Sequence, residues 1–341
     1  MESAIIVTVI SFLATLLIAP KLMAFLRGCG ITGIDQQKKG RPLLPSSGGL
    51  AVALGLLGGI MAYIALSTFI LKNVIDLSLM LAASSTILIV VLVGALDDIN
   101  IKSTKRRDSS GTEEFRVGLP QWLKPLLTLP AAIPLMAVSA GESLITPPLI
   151  GTLELGLAYP LIVVPVAVLC VSNATNMLAG MNGLEAGMGF LASLSVGIYA
   201  LLLGRVEGAI IALALSAALL AFLRYNWYPA KMLPGDSLTY LIGATFVAAI
   251  IIANVEMFAL IVFVPWVAEA FLKLRGRFAV ASLGDLQPDG TLKSKYRNIY
   301  SLTHLIMRPG KFGEKQITLV LMGIELVFIL LAFAVYWYNI I

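Results

Sequence analysis

The sequence predicts an all-α polytopic membrane protein, a bundle of about ten helices whose polar chemistry is gathered in loops on one side. Three observations lead there. Of the 341 residues, 59% are hydrophobic and 13% charged, against roughly 45–50% and about 25% in a soluble domain. The apolar residues come in blocks such as 4–18, 79–96, 238–252 and 317–337, and about 20 such residues cross a bilayer. Lys and Arg are sorted between alternate loops, as they are when one set of loops is cytoplasmic.

Taken in order, the expected spans lie near 4–26, 49–71, 78–96, 122–139, 158–175, 184–203, 207–223, 238–253, 255–273 and 316–338. The fourth and fifth carry Pro125, Pro130, Pro134, Pro160 and Pro165, which a membrane helix tolerates when neighbours satisfy the freed carbonyls. The residues before the first block, Met1, Glu2 and Ser3, include no positive charge. A cleavable leader begins with a basic stretch, so this block is expected to stay as a helix.

Of the 24 Lys and Arg, all but Lys72 and Arg205 fall in or beside the loops after odd-numbered spans. Both termini are therefore expected outside. The cytoplasmic loops would then be 27–48, 97–121, 174–186, 224–237 and 274–315, around a single domain spanning 1–341. Asp97, Asp98, Asn176, Asp236 and Arg275 all fall at that cytoplasmic end. Within 97–121, Lys102, Lys105, Arg106 and Arg107 precede Asp108-Ser109-Ser110-Gly111, which reads as a basic cluster and a mobile turn. Pro288-Asp289-Gly290 in the ninth loop suits a small hairpin.

Composition also excludes some functions. Cys29 and Cys170 are far apart, with no CxxC spacing, so neither a disulfide framework nor a zinc site is indicated. The net charge of +5 reflects topology and anionic headgroups. The expected partner is the lipid bilayer, and nucleic acid is not.

Ionisable residues at membrane spans are functional candidates. Asp97-Asp98 ends the apolar run Gly94-Ala95-Leu96. Two adjacent carboxylates at a hydrocarbon boundary call for a compensating cation, either a divalent metal or the basic cluster that follows. The stretch from Ser172 to Gly187 holds three asparagines and three glycines. Asn can read a base edge or complete a metal's oxygen shell, and Gly lets a ligand approach the backbone. Asp236, in Pro234-Gly235-Asp236-Ser237, can cap the next helix or ligate Mg²⁺. Arg275 and Arg277 suit bidentate contact with phosphate. His304 has no second ligand to make a metal site. Oxygen ligands, amides and guanidiniums on one face are the inventory for a nucleoside diphosphate.

These residues resemble the polyprenyl-phosphate N-acetylhexosamine-1-phosphate transferases, and most closely the branch of eukaryotes and archaea that uses UDP-GlcNAc and dolichyl phosphate. The resemblance rests on Ala95-Leu96-Asp97-Asp98, on Asn173 to Gly187 and on Tyr225 to Asp236. It implies Asn176 and Asp236 as ligands of Mg²⁺, with Mn²⁺ as the alternative ion. It further implies a catalytic role for Asp97 and Asp98, and substrate contacts at Gly180, Asn182, Glu185, Arg275 and Arg277. Asn182 would contact uracil. Lys105, Arg106 and Arg107 are assigned to the lipid phosphate.

The expected reaction joins GlcNAc-1-phosphate to dolichyl or another polyprenyl phosphate and releases UMP, the first membrane step of lipid-linked oligosaccharide synthesis. The expected location is an archaeal plasma membrane, with a homodimer left open. Gly276 stands where the eukaryotic branch has His, and Ser46 where the family has Glu. A relative using undecaprenyl phosphate or another UDP-N-acetylhexosamine is the alternative. A transporter of anionic lipid or nucleotide is the alternative outside enzymes, although inverted repeats and midplane charges are not plain in the sequence.

Overall fold

The structure is a computed structural model describing residues 2–99, 102–108, 111–117, 123–146 and 151–337, with 102–108 and 111–117 described by backbone alone. The chain begins with α1 (Glu2–Gly28), the strands β1 (Thr32–Ile34) and β2 (Leu43–Pro45), α2 (Gly49–Ala65) and α3 (Leu77–Ile99). There follow β3 (Lys102–Asp108), β4 (Gly111–Val117), the short helices α4 (Leu123–Thr128) and α5 (Ile133–Ala137), β5 (Leu144–Ile145) and β6 (Leu153–Glu154). Next come α6 (Val164–Met177), α7 (Leu184–Leu202), α8 (Val206–Asn226), α9 (Gly235–Ala253), α10 (Glu256–Val262) and α11 (Val264–Arg275). The ninth loop carries β7 (Gly284–Leu286), β8 (Leu292–Ser294) and α12 (Leu302–Met307), and α13 (Glu314–Tyr336) is the final helix.

Eight helices among the described residues are long and apolar enough to cross a membrane, and α10 with α11 adds a ninth if the bent pair is one span. The expected span at 122–139 coincides with a shorter apolar stretch, Leu123–Ala137. Helices dominate because lipid offers no partner to backbone N–H and C=O groups, so each segment must satisfy its own. The continuous helix expected at 255–273 is instead broken by 60° between α10 and α11. Pro265 lies in the first turn of α11, a position that tolerates it, whereas in a continuous helix it would lack an N–H donor and its ring would collide with the carbonyl four residues back.

Among the described residues, four antiparallel strand pairs decorate the bundle: β1 with β2, β3 with β4, β5 with β6 and β7 with β8. The second places the basic cluster on a strand, while the mobile turn expected at Ser109-Ser110 lies outside the described residues. Its register runs from Lys102 opposite Val117 to Asp108 opposite Gly111. Backbone pairing makes that ladder, and Lys-Ser-Thr-Lys-Arg-Arg has no apolar alternation to announce it.

The centre of the bundle is α9, packed against α2, α3, α6, α7 and α8. In its apolar stretch 94% of residues are buried, against 28% in α1 and 33% in α13. α9 is therefore shielded from lipid by other helices. Its N-terminus, which carries Asp236, thus begins the most buried of the long helices among the described residues.

Candidate active site

The site is built where the N-terminus of α9 meets the C-terminus of α3. The first N–H groups of a helix have no intrahelical partner, and here Asp98 supplies it. Its Oδ1 accepts from Asp236 N at 2.7 Å and its Oδ2 from Ser237 N at 3.2 Å. Ser47 Oγ, just ahead of α2, also donates to Asp98 Oδ2 at 2.8 Å. Gly235 has φ +70° and lies against the Asp98 carboxylate, where any Cβ would overlap it. Three elements thus converge on one buried aspartate. Asp98→Ala is expected to destabilise the protein by about 2 kcal/mol, the scale of a lost cap with buried donors left unpaired. Thermal unfolding in detergent checks this, and an unchanged Tm would remove Asp98 from that role.

Asp97, one residue earlier, serves a different partner. Lys124 Nζ, from α4, lies 2.5 Å from Asp97 Oδ2 and 2.6 Å from Asp236 Oδ2. One ammonium therefore bridges two carboxylates that would otherwise repel. Asn176, in the last turn of α6, lies beside them. Its Oδ1 accepts from Thr239 Oγ1 at 3.1 Å, and its Nδ2 donates to Tyr240 OH at 3.2 Å.

Two cavities meet at this point. The first, about 290 Å³, is lined by Asp35, Gln36, Ser46, Asp98, Asn182, Glu185 and Asp236, among others. The second, about 680 Å³, has apolar walls from Pro125, Met177, Phe278, Val280 and Leu283, with Lys124, Lys273 and Arg277 among its lining. Asn176, Ala179, Gly180 and Leu283 line both. A polar chamber therefore adjoins an apolar one that carries cations.

Among the described residues, no group of three or more His, Cys, Asp or Glu is arranged to hold a metal. The first cavity instead offers the Asp236 carboxylate and the Asn176 amide beside the Asp98 carboxylate. Mg²⁺ is bound by one or two carboxylates and completes its shell with water and substrate phosphate. A sparse, all-oxygen set fits that ion and does not fit zinc.

The other expected residues are distributed unevenly. Glu185 Oε1 accepts from Gly180 N at 2.6 Å. Asn182 Nδ2 donates to Asp35 Oδ2 at 3.3 Å and its Oδ1 accepts from Ala230 N at 2.9 Å. Its N–H donates to Glu314 Oε1 at 2.7 Å, so its polar groups already hold the local chain together. Arg277 lines the second cavity. Arg275 lies over the Tyr300 ring, 5.9 Å from its centroid, and lines neither cavity. Lys105, Arg106 and Arg107 lie on β3, and their side chains are outside the described residues. Burial, then the nearby Lys273 charge, pushes the His304 imidazole below its ordinary value.

A family model described as "Glycosyl transferase family 4" matches residues 78–254, more than half of the chain and the part that contains α3, Lys124, Asn176 and Asp236. The chain belongs to glycosyl transferase family 4. A Dictyostelium discoideum member named UDP-N-acetylglucosamine–dolichyl-phosphate N-acetylglucosaminephosphotransferase is 24% identical over 354 residues, covering 91% of this chain and 82% of that protein. A Sulfolobus acidocaldarius protein given the same name provisionally is 31% identical over 327 residues, covering 95% of this chain and 93% of its own. The phospho-N-acetylmuramoyl-pentapeptide-transferase of Moorella thermoacetica is 30% identical over 258 residues, covering 73% and 75% respectively.

In this family 4 transferase, sequence reasoning missed Lys124, Ser47, Thr239 and Tyr240. Lys124 carried the strongest available signal, a lone cation opening an apolar, proline-rich stretch. Thr239 and Tyr240 carried none, since their meeting with Asn176 depends on how α6 crosses α9.

Proposed function

We propose that the chain transfers GlcNAc-1-phosphate from UDP-GlcNAc to dolichyl or a related polyprenyl phosphate, releasing UMP at the cytoplasmic end of a ten-span bundle. The observation that carries this reading is the polar chamber joined to an apolar one at Asn176 and Gly180, with Asp97, Lys124 and Asp236 at the junction. The polar chamber suits a nucleotide sugar. The apolar one suits a phosphate head on a hydrocarbon chain. The names of the Dictyostelium and Sulfolobus relatives specify UDP-GlcNAc and dolichyl phosphate, which supports that pair of substrates.

An oxygen of the acceptor phosphate attacks the β-phosphorus, the bond from that phosphorus to the bridging oxygen breaks, and the electron pair leaves with UMP. A phosphate monoester has a second pKa of about 6 and is largely dianionic at pH 7, so no strong base is needed. Positioning and charge neutralisation dominate such transfers. Lys124 and Arg277 receive the phosphates, and Asp97 holds Lys124 in place. Asp98 fixes the start of α9 and so aims Asp236. Asp236 and Asn176 would hold Mg²⁺, which supplies positive charge to the pyrophosphate oxygens when bound.

Membranes carrying the protein, given labelled UDP-GlcNAc, dolichyl phosphate and Mg²⁺, should yield a labelled lipid diphosphate and UMP. Parallel arms with undecaprenyl phosphate and UDP-GalNAc test the lipid and sugar. No product in the first arm sinks the reading. The topology rests on the Lys and Arg distribution and has its own test. Cys29 is exposed, so an impermeant thiol reagent should label it in inverted vesicles and not in sealed right-side-out vesicles. The opposite pattern would reverse the orientation proposed for this archaeal-type plasma-membrane enzyme.

A further inference from the structure

Gly180 stands in the wall common to the two cavities, and both of its peptide groups are held by buried side chains. Its N–H donates to Glu185 Oε1 at 2.6 Å, and its C=O accepts from Gln37 Nε2 at 3.1 Å. Its φ of +109° is open to glycine and strained for other residues. The local chain therefore depends on outside contacts to hold that shape.

Gln37 does more than hold Gly180. Its Oε1 accepts from Gly284 N at 3.0 Å, at the first residue of β7. Leu283, next to Gly284, packs against Gly180 and also lines both cavities. One side chain, 3% exposed, thus ties together two segments of that common wall, Ala179–Gly180 and Leu283–Gly284. The Gln amide offers a donor and an acceptor together, one for each segment.

The segment that carries Gln37 is anchored on both sides. Asp35 accepts from Asn182 Nδ2, and Lys38 pairs with Asp35 at 3.3 Å and with Glu314 at the start of α13. Gln37 is therefore presented by a fixed strap. It does not hang from a loose loop.

We infer that Gln37 is a positioning residue, a strut that sets the wall common to the two cavities and the shape of the 178–183 loop beside the first. This builds on the reading of the first cavity as the nucleotide-sugar chamber. Gln37 itself touches no reacting atom.

The test uses the full-length protein in lipid nanodiscs, with Gln37→Leu and Gln37→Glu. Leu removes both hydrogen bonds, whereas Glu keeps an acceptor for Gly284 N and loses the donor to Gly180. Gln37→Leu should raise KM for UDP-GlcNAc about tenfold, leave kcat within about threefold and leave KM for dolichyl phosphate unchanged. Hydrogen exchange reads the strut without any substrate. Leu should speed exchange over both 178–183 and 283–287, and Glu over 178–183 alone. Wild-type exchange at both segments, or a fall in kcat with KM unchanged, overturns the inference. If Gln37→Leu fails to insert, Gln37→Glu decides by the same segments. If the wild type does not turn over UDP-GlcNAc, the functional reading falls and exchange still decides the strut.

Discussion

Asp236→Asn should lower turnover by roughly 10³-fold, the scale of losing a group aimed at transition-state charge, while the protein stays folded and inserted. The variant keeps the shape of the side chain and removes its charge. Folding should survive, because Asp98 binds the backbone N–H of residue 236 rather than its side chain. What is lost is the carboxylate that pairs with Lys124 at 2.6 Å and, in the proposed mechanism, a ligand of Mg²⁺. UMP release measures the first effect, and size-exclusion chromatography with circular dichroism measures the second. Near wild-type turnover, or turnover that persists in excess chelator, would remove Asp236 from the metal site.

Lys124→Met should cost about 10²-fold and leave a different signature. Met fills similar space without the ammonium, so Asp97 and Asp236 would face one another uncompensated. A divalent cation can take up part of that charge. The variant's activity should therefore climb with Mg²⁺ well beyond the concentration that saturates the wild type. Lys124→Arg should recover part of the rate, because a cation returns between the carboxylates even though the fork geometry differs. Full activity in Lys124→Met would mean that the bridge plays no part in turnover.

The membrane helices were legible because lipid imposes one rule, long apolar runs, that sequence displays directly. Where a run contained a local fault the reading was coarser. Pro265 near the middle of 255–273 breaks that helix, and hydropathy alone does not register it. Asp97, Asp98, Asn176 and Asp236 stood out as polar residues at the ends of apolar runs, and the fold gathers all four at one junction. Their division of labour was not legible. Asp98 faces the N–H groups of α9 and Asp97 faces Lys124, a distinction set by which side of α3 meets each neighbour. Gln37 gave no signal, since its worth depends on Gly180 and Gly284, 143 and 247 residues further along the chain.

The enclosure of α9 has a consequence for how the protein meets different membranes. A bilayer that is too thick or too thin acts on helices that touch it, tilting them or drawing their ends inward at a modest cost per ångström. In this bundle that strain falls first on α1 and α13, the least buried of the long helices. The helix that aims Asp236 does not sense acyl-chain length directly. Changing hydrophobic thickness should therefore shift the unfolding temperature before it shifts the rate constant, which makes the outer helices a mechanical buffer for the chemistry they surround.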